Sequence, residues 1–321
     1  MRSHPPAAGM MATAAAAPAP SGEELGRTGD EIIATGRLFH SGGAPVVTWL
    51  DAGGYDGYSA APRFSAAPEE GPLAPSFSQR KVDGTPHGPE NWTLDELQQV
   101  VDQVVIHFDA CGSSRRCFEV LHDRRSLSCH FLLDVDGTIY QTLDLKERAW
   151  HATSSNDRSI GIEIANIGAQ GYRSNGEDLA VDADVFAQWY DQPAGDDPDM
   201  LRLSVPREEA DSVANLALAN AQTVRTVRGI CQGQELLQAD FTDAQYDSLG
   251  RLCATLCAIF PQIRVDYPAA DSKLPDGELG RWSGFIGHSH IQTNKVDPGP
   301  AFNWPRLRAL IQNFAPAQHK L

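Results

Sequence analysis

No run of eighteen apolar residues occurs in the chain, so the sequence contains no candidate transmembrane helix. None of the six cysteines forms a CxxC pair, which argues against a structural zinc ribbon. Positive charge is scarce: 26 Lys and Arg stand against 42 Asp and Glu, a formal net charge of −16. General affinity for nucleic acid rests on Lys and Arg neutralising phosphates, so this balance opposes that class of partner. The opening stretch MRSHPPAAGMMATAAAAPAPSG lacks Leu, Ile, Val and Phe. Residues 1–25 therefore read as a disordered tail more readily than as a degenerate signal peptide.

What is present is the composition of an ordinary folded protein, 41% hydrophobic and 21% charged over 321 residues. Residues 26–90 hold two short apolar runs, Glu31 to Phe39 and Pro45 to Leu50, followed by turn chemistry in AGGYDGYSAAP. That is too little for an independent core, so we read an N-terminal arm packing on a main domain at 91–316. The main domain opens with a capping box, Thr93 and Glu96, and Leu94, Leu97, Val100 and Val101 at helical spacing. QVVIHF is a compact strand with Val104, Ile106 and Phe108 on one face and Val105 and His107 on the other.

FLLDVDGTIYQ predicts a hairpin whose two-residue turn is Asp136-Gly137, both at positive φ. SIGIEIAN predicts a strand in which Glu163 shares its face with Gly161 and Ala165, leaving open space above the carboxylate. Residues 169–240 form an acidic insertion with one expected helix, after Ser204-Val205-Pro206, carrying Val213, Leu216 and Ala217. Thr242 and Gln245 cap a helix with a stripe of Leu249, Leu252, Cys253, Leu256, Cys257 and Phe260. A last helix from about Pro305 turns Leu307, Leu310, Ile311 and Phe314 inward. Helices alternating with strands make the fold class α/β.

The stretch GHSHIQTNKVDPG, Gly287 to Gly299, sets His288, Lys295 and Asp297 within ten residues in irregular backbone. Zinc accepts His nitrogen and carboxylate oxygen at about 2.0–2.2 Å, and a catalytic site takes three protein ligands and leaves a fourth position open. Two ligand types are here, and the third must come from a distant segment. Cys253 and Cys257, one helical turn apart, are small hydrophobes that cannot pair with each other. Cys111 and Cys117 flank GSSRR and either close a ring or stay reduced; an oxidised pair would indicate export.

His107 at its strand end, the FLLDVDGTIYQ hairpin, the RAWHAT segment, the SIGIEIAN strand and the GHSHIQTNKVDPGP loop occur in a familiar order. Together they resemble the zinc-dependent N-acetylmuramoyl-L-alanine amidases, whose fold is shared with the peptidoglycan recognition proteins. The resemblance runs from about Asn91 to Phe314, interrupted by the insertion. It implies a mixed central β-sheet flanked by helices, one Zn2+, and a groove for peptidoglycan or muropeptide. Carried over residue by residue, it makes His107, His288 and Asp297 the zinc ligands and Glu163 and Lys295 the catalytic pair, with Trp150 and His151 at the substrate.

Aspartate as third ligand matches the branch containing cytosolic muropeptide-recycling amidases and some envelope amidases. Cys129 stands where phage enzymes carry tyrosine, which leaves the proton chemistry to Glu163. The Cys111 and Cys117 pair resembles the disulfide loop of recognition proteins and tilts the expectation towards the cell envelope or secretion over the cytoplasm. Two further readings stay open: a module that binds muropeptide without cutting it, and a zinc amide hydrolase with a different substrate. Oligomeric state is not legible.

Overall fold

A computed structural model describes residues 25–66, 73–82, 84–88, 92–171, 183–191 and 197–315. The expected tail at 1–25 lies, Leu25 apart, outside the described residues. Five stretches of the main domain and one of the arm build the central sheet: β1 (Val46–Thr48), β2 (Gln103–Phe108), β3 (Phe131–Leu133), β4 (Ile139–Gln141), β5 (Ser159–Ile164) and, after an insertion hairpin of β6 (Thr223–Cys231) and β7 (Gln234–Ala239), β8 (Gly284–Gly287). Their spatial order is β8-β2-β5-β3-β4-β1. The pairs β8/β2, β2/β5, β5/β3 and β4/β1 are parallel and β3/β4 antiparallel, so the sheet is mixed. Strands covered on both faces read as continuous apolar runs, as QVVIHF and SIGIEI do.

Helix α1 (Leu94–Val100) carries the Thr93/Glu96 capping box and fully buries Leu97. It stops at Val101, whose extended backbone leads into β2. Helices α2 (Ser114–Phe118), α3 (Asp243–Ile259) and α4 (Trp304–Phe314) follow. Val104, Ile106, Ile160 and Ile162 of the sheet meet Leu249, Leu252, Cys253 and Leu256 of α3 and Leu307 and Ile311 of α4 in one core. Leu310 and Phe314 are only half-buried against it. At Gly250 a Cβ would stand 2.6 Å from the Leu310 Cβ, so glycine there is what lets α3 and α4 approach so closely.

The arm does more than cover the main domain. Ile32, Ala34, Ala44 and Val46 belong to the main core, and β1 extends the sheet beyond β4. The hairpin at residues 131–141 forms with a different turn from the expected one. Gly137 has φ +85°, whereas Asp136 does not adopt positive φ. The connection is a three-residue loop with glycine at the left-handed position. Asp136 instead spends its carboxylate on the backbone amides of Thr138 (2.9 Å) and Asn215 (2.6 Å).

The insertion also departs from expectation. Instead of one helix carrying Val213, Leu216 and Ala217, the stretch contains a 3-10 turn, Ala210–Ser212, and a short helix, Leu216–Asn220. Its frame is an antiparallel sheet in which Met200–Leu203, β6 and β7 are neighbours. Trp189, Tyr190, Leu201, Leu203 and Val224 form a second core that takes in Val135 and Ala165 of the main domain, so the insertion is fused to the sheet it interrupts.

Candidate metal centre

Register places the first two ligand candidates. In the parallel pair β2/β5, His107 is the partner of Glu163, so the imidazole and the carboxyl project side by side from one face. In β8/β2, Gly287 pairs with Ile106, and His288 therefore leaves the ladder abreast of His107. The two imidazoles stand 4.7 Å apart between centroids, at 81°. The loop then returns, held by the Ser289 amide donating to the Asp297 carbonyl at 2.9 Å. A Cβ on Gly287 would lie 2.5 Å from Pro298 Cδ, so glycine makes room for that return.

Asp297 Oδ2 lies 2.7 Å from His107 Nδ1 and 3.2 Å from His288 Nδ1. The three donor atoms lie within 4.8 Å of one another, on three buried residues. A tetrahedral ion with ligands at about 2.0–2.1 Å has ligand-to-ligand edges of about 3.3 Å, so this set fits a zinc-sized cation. The outer ring nitrogens support the same assignment. His107 Nε2 is 3.0 Å from His151 Nδ1, and His288 Nε2 is 2.5 Å from the Gln292 side-chain oxygen. Protons placed on both Nε2 atoms leave both Nδ1 lone pairs for a metal, the outer-partner arrangement that fixes a ligating imidazole.

Electrostatics agree with neutral imidazoles beside a charged carboxylate. Burial pushes the His107 pKa down to about 4, against the opposing hydrogen bond to Asp297. Burial alone would raise the Asp297 carboxyl, but without a metal the protons sit on Nδ1 instead, and the hydrogen bonds that His107 and His288 then donate to Asp297 outweigh burial and hold it far below the usual range. Glu163 goes the other way: burial, with the charge of Asp297 adding to it, raises its pKa well above the ordinary value.

A cleft of about 190 Å³ opens over these groups and is lined also by Lys295, Trp150 and His151. The seven residues singled out in the sequence thus come together. His151, expected at the substrate, also contacts a ligand candidate directly, its Nδ1 facing His107 and its Nε2 lying 3.3 Å from Ser159 Oγ. The Trp150 indole N–H donates to Ser78 Oγ at 3.2 Å, so the arm steadies this part of the rim. The space above the Gly161–Glu163–Ala165 face is not wholly open: a Cβ on Gly161 would meet Cys129 Sγ at 2.6 Å and the His151 ring at 2.7 Å.

Asp109, Arg125 and Gln292 escaped the sequence reading. Asp109 and Arg125 line the cleft, and Gln292 holds His288. Asp109 follows His107 by two, just past the end of β2, a usable signal; its Oδ1 accepts the amides of Cys111, Gly112 and Asn166, and burial pushes its pKa up to about 7. Arg125 comes from the end of a π-helical segment and had no local signal. Cys111 and Cys117 also line the cleft, as free thiols whose pKa burial pushes up. Cys129, His107 and His151 form another possible ligand group, but burial keeps the Cys129 thiol far from ionising. Asp30, Glu31 and His40 form a third, none of them lining the cleft and with His40 exposed.

Residues 97–194 match the family model of N-acetylmuramoyl-L-alanine amidase, a span that holds His107, His151 and Glu163 and ends inside the insertion. Over that span, about a third of the chain, the protein is similar to the type 2 N-acetylmuramoyl-L-alanine amidases. Among the amidase relatives, 1,6-anhydro-N-acetylmuramyl-L-alanine amidase AmpD of Salmonella typhimurium is 28% identical over 202 residues, 60% of each chain. AmpD of Citrobacter freundii is 24% identical over 203 residues, again 60% of each. The chain therefore spans about 60% of the length of the curated amidases it matches. Among solved structures, a selenomethionine derivative of AmpD aligns with a TM-score of 0.33 and 19% identity, covering 80% of this chain and 98% of that one. The amidase AmiD of E. coli, in complex with the substrate anhydro-N-acetylmuramic acid-L-Ala-D-gamma-Glu-L-Lys, aligns with a TM-score of 0.38 and 18% identity, covering 73% of this chain and 65% of that one.

Proposed function

We propose that this protein is a zinc-dependent amidase that hydrolyses the bond between N-acetylmuramic acid and L-alanine in peptidoglycan or muropeptides. The observation carrying the proposal is the convergence of two imidazoles and one carboxylate at a cleft that also holds Glu163 and Lys295, in a chain whose residues 97–194 match this family's model. The names of the relatives point to anhydro-muropeptides as the first substrates to try.

His107, His288 and Asp297 would hold the ion. Zinc so bound supplies a Lewis acid for the scissile carbonyl and makes hydroxide available near neutral pH. Glu163 takes the proton of the attacking water and delivers it to the departing L-alanine nitrogen, a single carboxyl serving as base and then acid. Its raised pKa suits the second half of that cycle, since a protonated carboxyl is what the leaving amine needs. Lys295 is the cation placed to balance negative charge developing on the carbonyl oxygen. Trp150 and His151 line the same cleft and are the candidates for holding the glycan or the first peptide unit.

The test is a digest of purified anhydro-muropeptide and of intact peptidoglycan with zinc-loaded protein, read by mass spectrometry. Release of free stem peptide together with a muramoyl carboxylate is the expected result. Binding without release would leave only a recognition role, and cleavage elsewhere in the peptide would replace the proposed bond.

A further inference from the structure

The insertion reaches the loop that carries two of the three ligand candidates. Hairpin β6/β7 turns at Gln232 and Gly233, with φ of 53° and 70°, and Cys231 pairs with Gln234 across them. At this tip the Gln232 side-chain Nε2 donates to the carbonyl of Ser289 at 2.6 Å and to that of Gln292 at 2.9 Å. Gln232 is itself held, its amide donating to the Asp271 carbonyl at 3.0 Å. Further along β7, Gln238 Nε2 donates to the Pro298 carbonyl at 3.0 Å and its Oε1 accepts the Ala301 amide at 3.1 Å. Gly229 of β6 lies against Pro300, where a Cβ would come within 2.6 Å. One hairpin therefore grips the metal loop just after His288 and again just after Asp297.

Gln292 links that grip to the imidazole, because its side-chain oxygen is the partner of His288 Nε2. We infer that Gln232 is a positioning residue for the metal centre: both donors of one amide group hold the Ser289 and Gln292 carbonyls and so, through Gln292, set the direction in which His288 presents Nδ1. The inference rests on the metal reading above. An irregular loop has no ladder of its own to hold it, and one NH2 group satisfying two carbonyls is a job that neither a carboxylate nor a shorter amide can do from this position. Partners of this outer kind typically contribute about 10–100-fold to metal affinity or activity.

Gln232→Asn separates positioning from folding. Asn tolerates positive φ better than Gln and suits the turn ahead of Gly233, yet it draws the amide back by one methylene from both carbonyls. We expect the metal-free melting temperature of Gln232→Asn to equal or exceed wild type. Zinc affinity, measured by chelator competition on the full chain, should fall by about tenfold or more. Turnover of muropeptide should fall in kcat with KM little changed. Gln232→Glu, which keeps the length and loses the donors, should fail in the same way, while Gln234→Ala, exposed on the same hairpin, should match wild type. Wild-type zinc affinity and kcat in both Gln232 variants would overturn the inference, as would a loss that merely tracks a lowered metal-free melting temperature. A wild type that takes up no zinc would instead sink the metal reading, and this inference with it.

Discussion

Replacing Glu163 with Gln asks whether the carboxyl moves a proton or merely fills space. The side chain keeps its size, and the register that seats it beside His107 is a backbone property of β2/β5. Three carboxyl groups line the cleft: Asp297 is committed to two imidazoles and Asp109 to three backbone amides, so the proton role falls to Glu163. A positioned acid/base is worth about 10²–10⁴ in rate, or about 2.7–5.5 kcal/mol of barrier at about 1.36 kcal/mol per tenfold. Turnover of Glu163→Gln should drop by at least about a hundredfold while one zinc per chain is retained and substrate still binds. Misfolding is not a competing explanation. Glu163 is an acid whose folded pKa is raised, so in the metal-free protein the folded state loses stability as pH rises above the unfolded value of 4.5, and Gln removes that cost. Metal-free Glu163→Gln should therefore melt no lower than wild type at pH 8. Zinc analysis, single-turnover kinetics and thermal unfolding on one preparation check all three statements. Near-normal turnover would refute the role and turn attention to His151 or Asp109; loss of zinc would make Glu163 a ligand.

Wild-type protein should hold close to one zinc per chain, and His107→Ala or Asp297→Ala should lose both metal and activity; full metal content by elemental analysis in either variant would remove that residue from the ligand set. Gly161→Ala drives a methyl into Cys129 Sγ and the His151 ring, both packed on their neighbours, and should cost about 1–3 kcal/mol in urea unfolding; a neutral effect would show that His151 has freedom the packing denies it. In the arm, the Glu31 carboxylate accepts the Thr28 and Gly29 amides at 2.9 and 3.0 Å. Burial would raise its pKa, but these bonds, led by those of Thr28, lower it to about 2. Its contribution is thus fully present above the unfolded value of 4.5 and lost as pH falls towards about 2. Glu31→Gln should cost about 2 kcal/mol at pH 6, and the gap from wild type should close between pH 4.5 and 2 in urea titrations; a gap independent of pH would refute the charge-assisted reading.

Local sequence carried a large part of this molecule. The alternation in QVVIHF and SIGIEI determined which side chains share a face, because a strand repeats every two residues whatever surrounds it. The Thr93/Glu96 and Thr242/Gln245 boxes marked helix starts that the structure keeps, since capping is a contact within one turn. Residue type and strand pattern made His107, His288, Asp297, Glu163 and Lys295 candidates, and the family resemblance gave them their roles. The insertion hairpin, Thr223–Cys231 and Gln234–Ala239, formed no part of the expectation, which placed only a helix on the spacing of Val213, Leu216 and Ala217.

Other features had no local cause. Asp136 abandons the expected turn geometry because Asn215, far along the chain, supplies an amide for its carboxylate. The arm becomes a sheet edge because β4 has a free side for β1 to pair with, which no pattern in residues 26–90 announces. His107 and Asp297 are 190 residues apart, and their 2.7 Å contact exists only because β8 lies beside β2 and the loop after it folds back. Periodicity says which face a side chain takes on its own strand or helix. Which faces then meet, which ring nitrogen is left for a metal, and which distant glutamine steadies the loop depend on long-range packing, and those were decided by the tertiary structure alone.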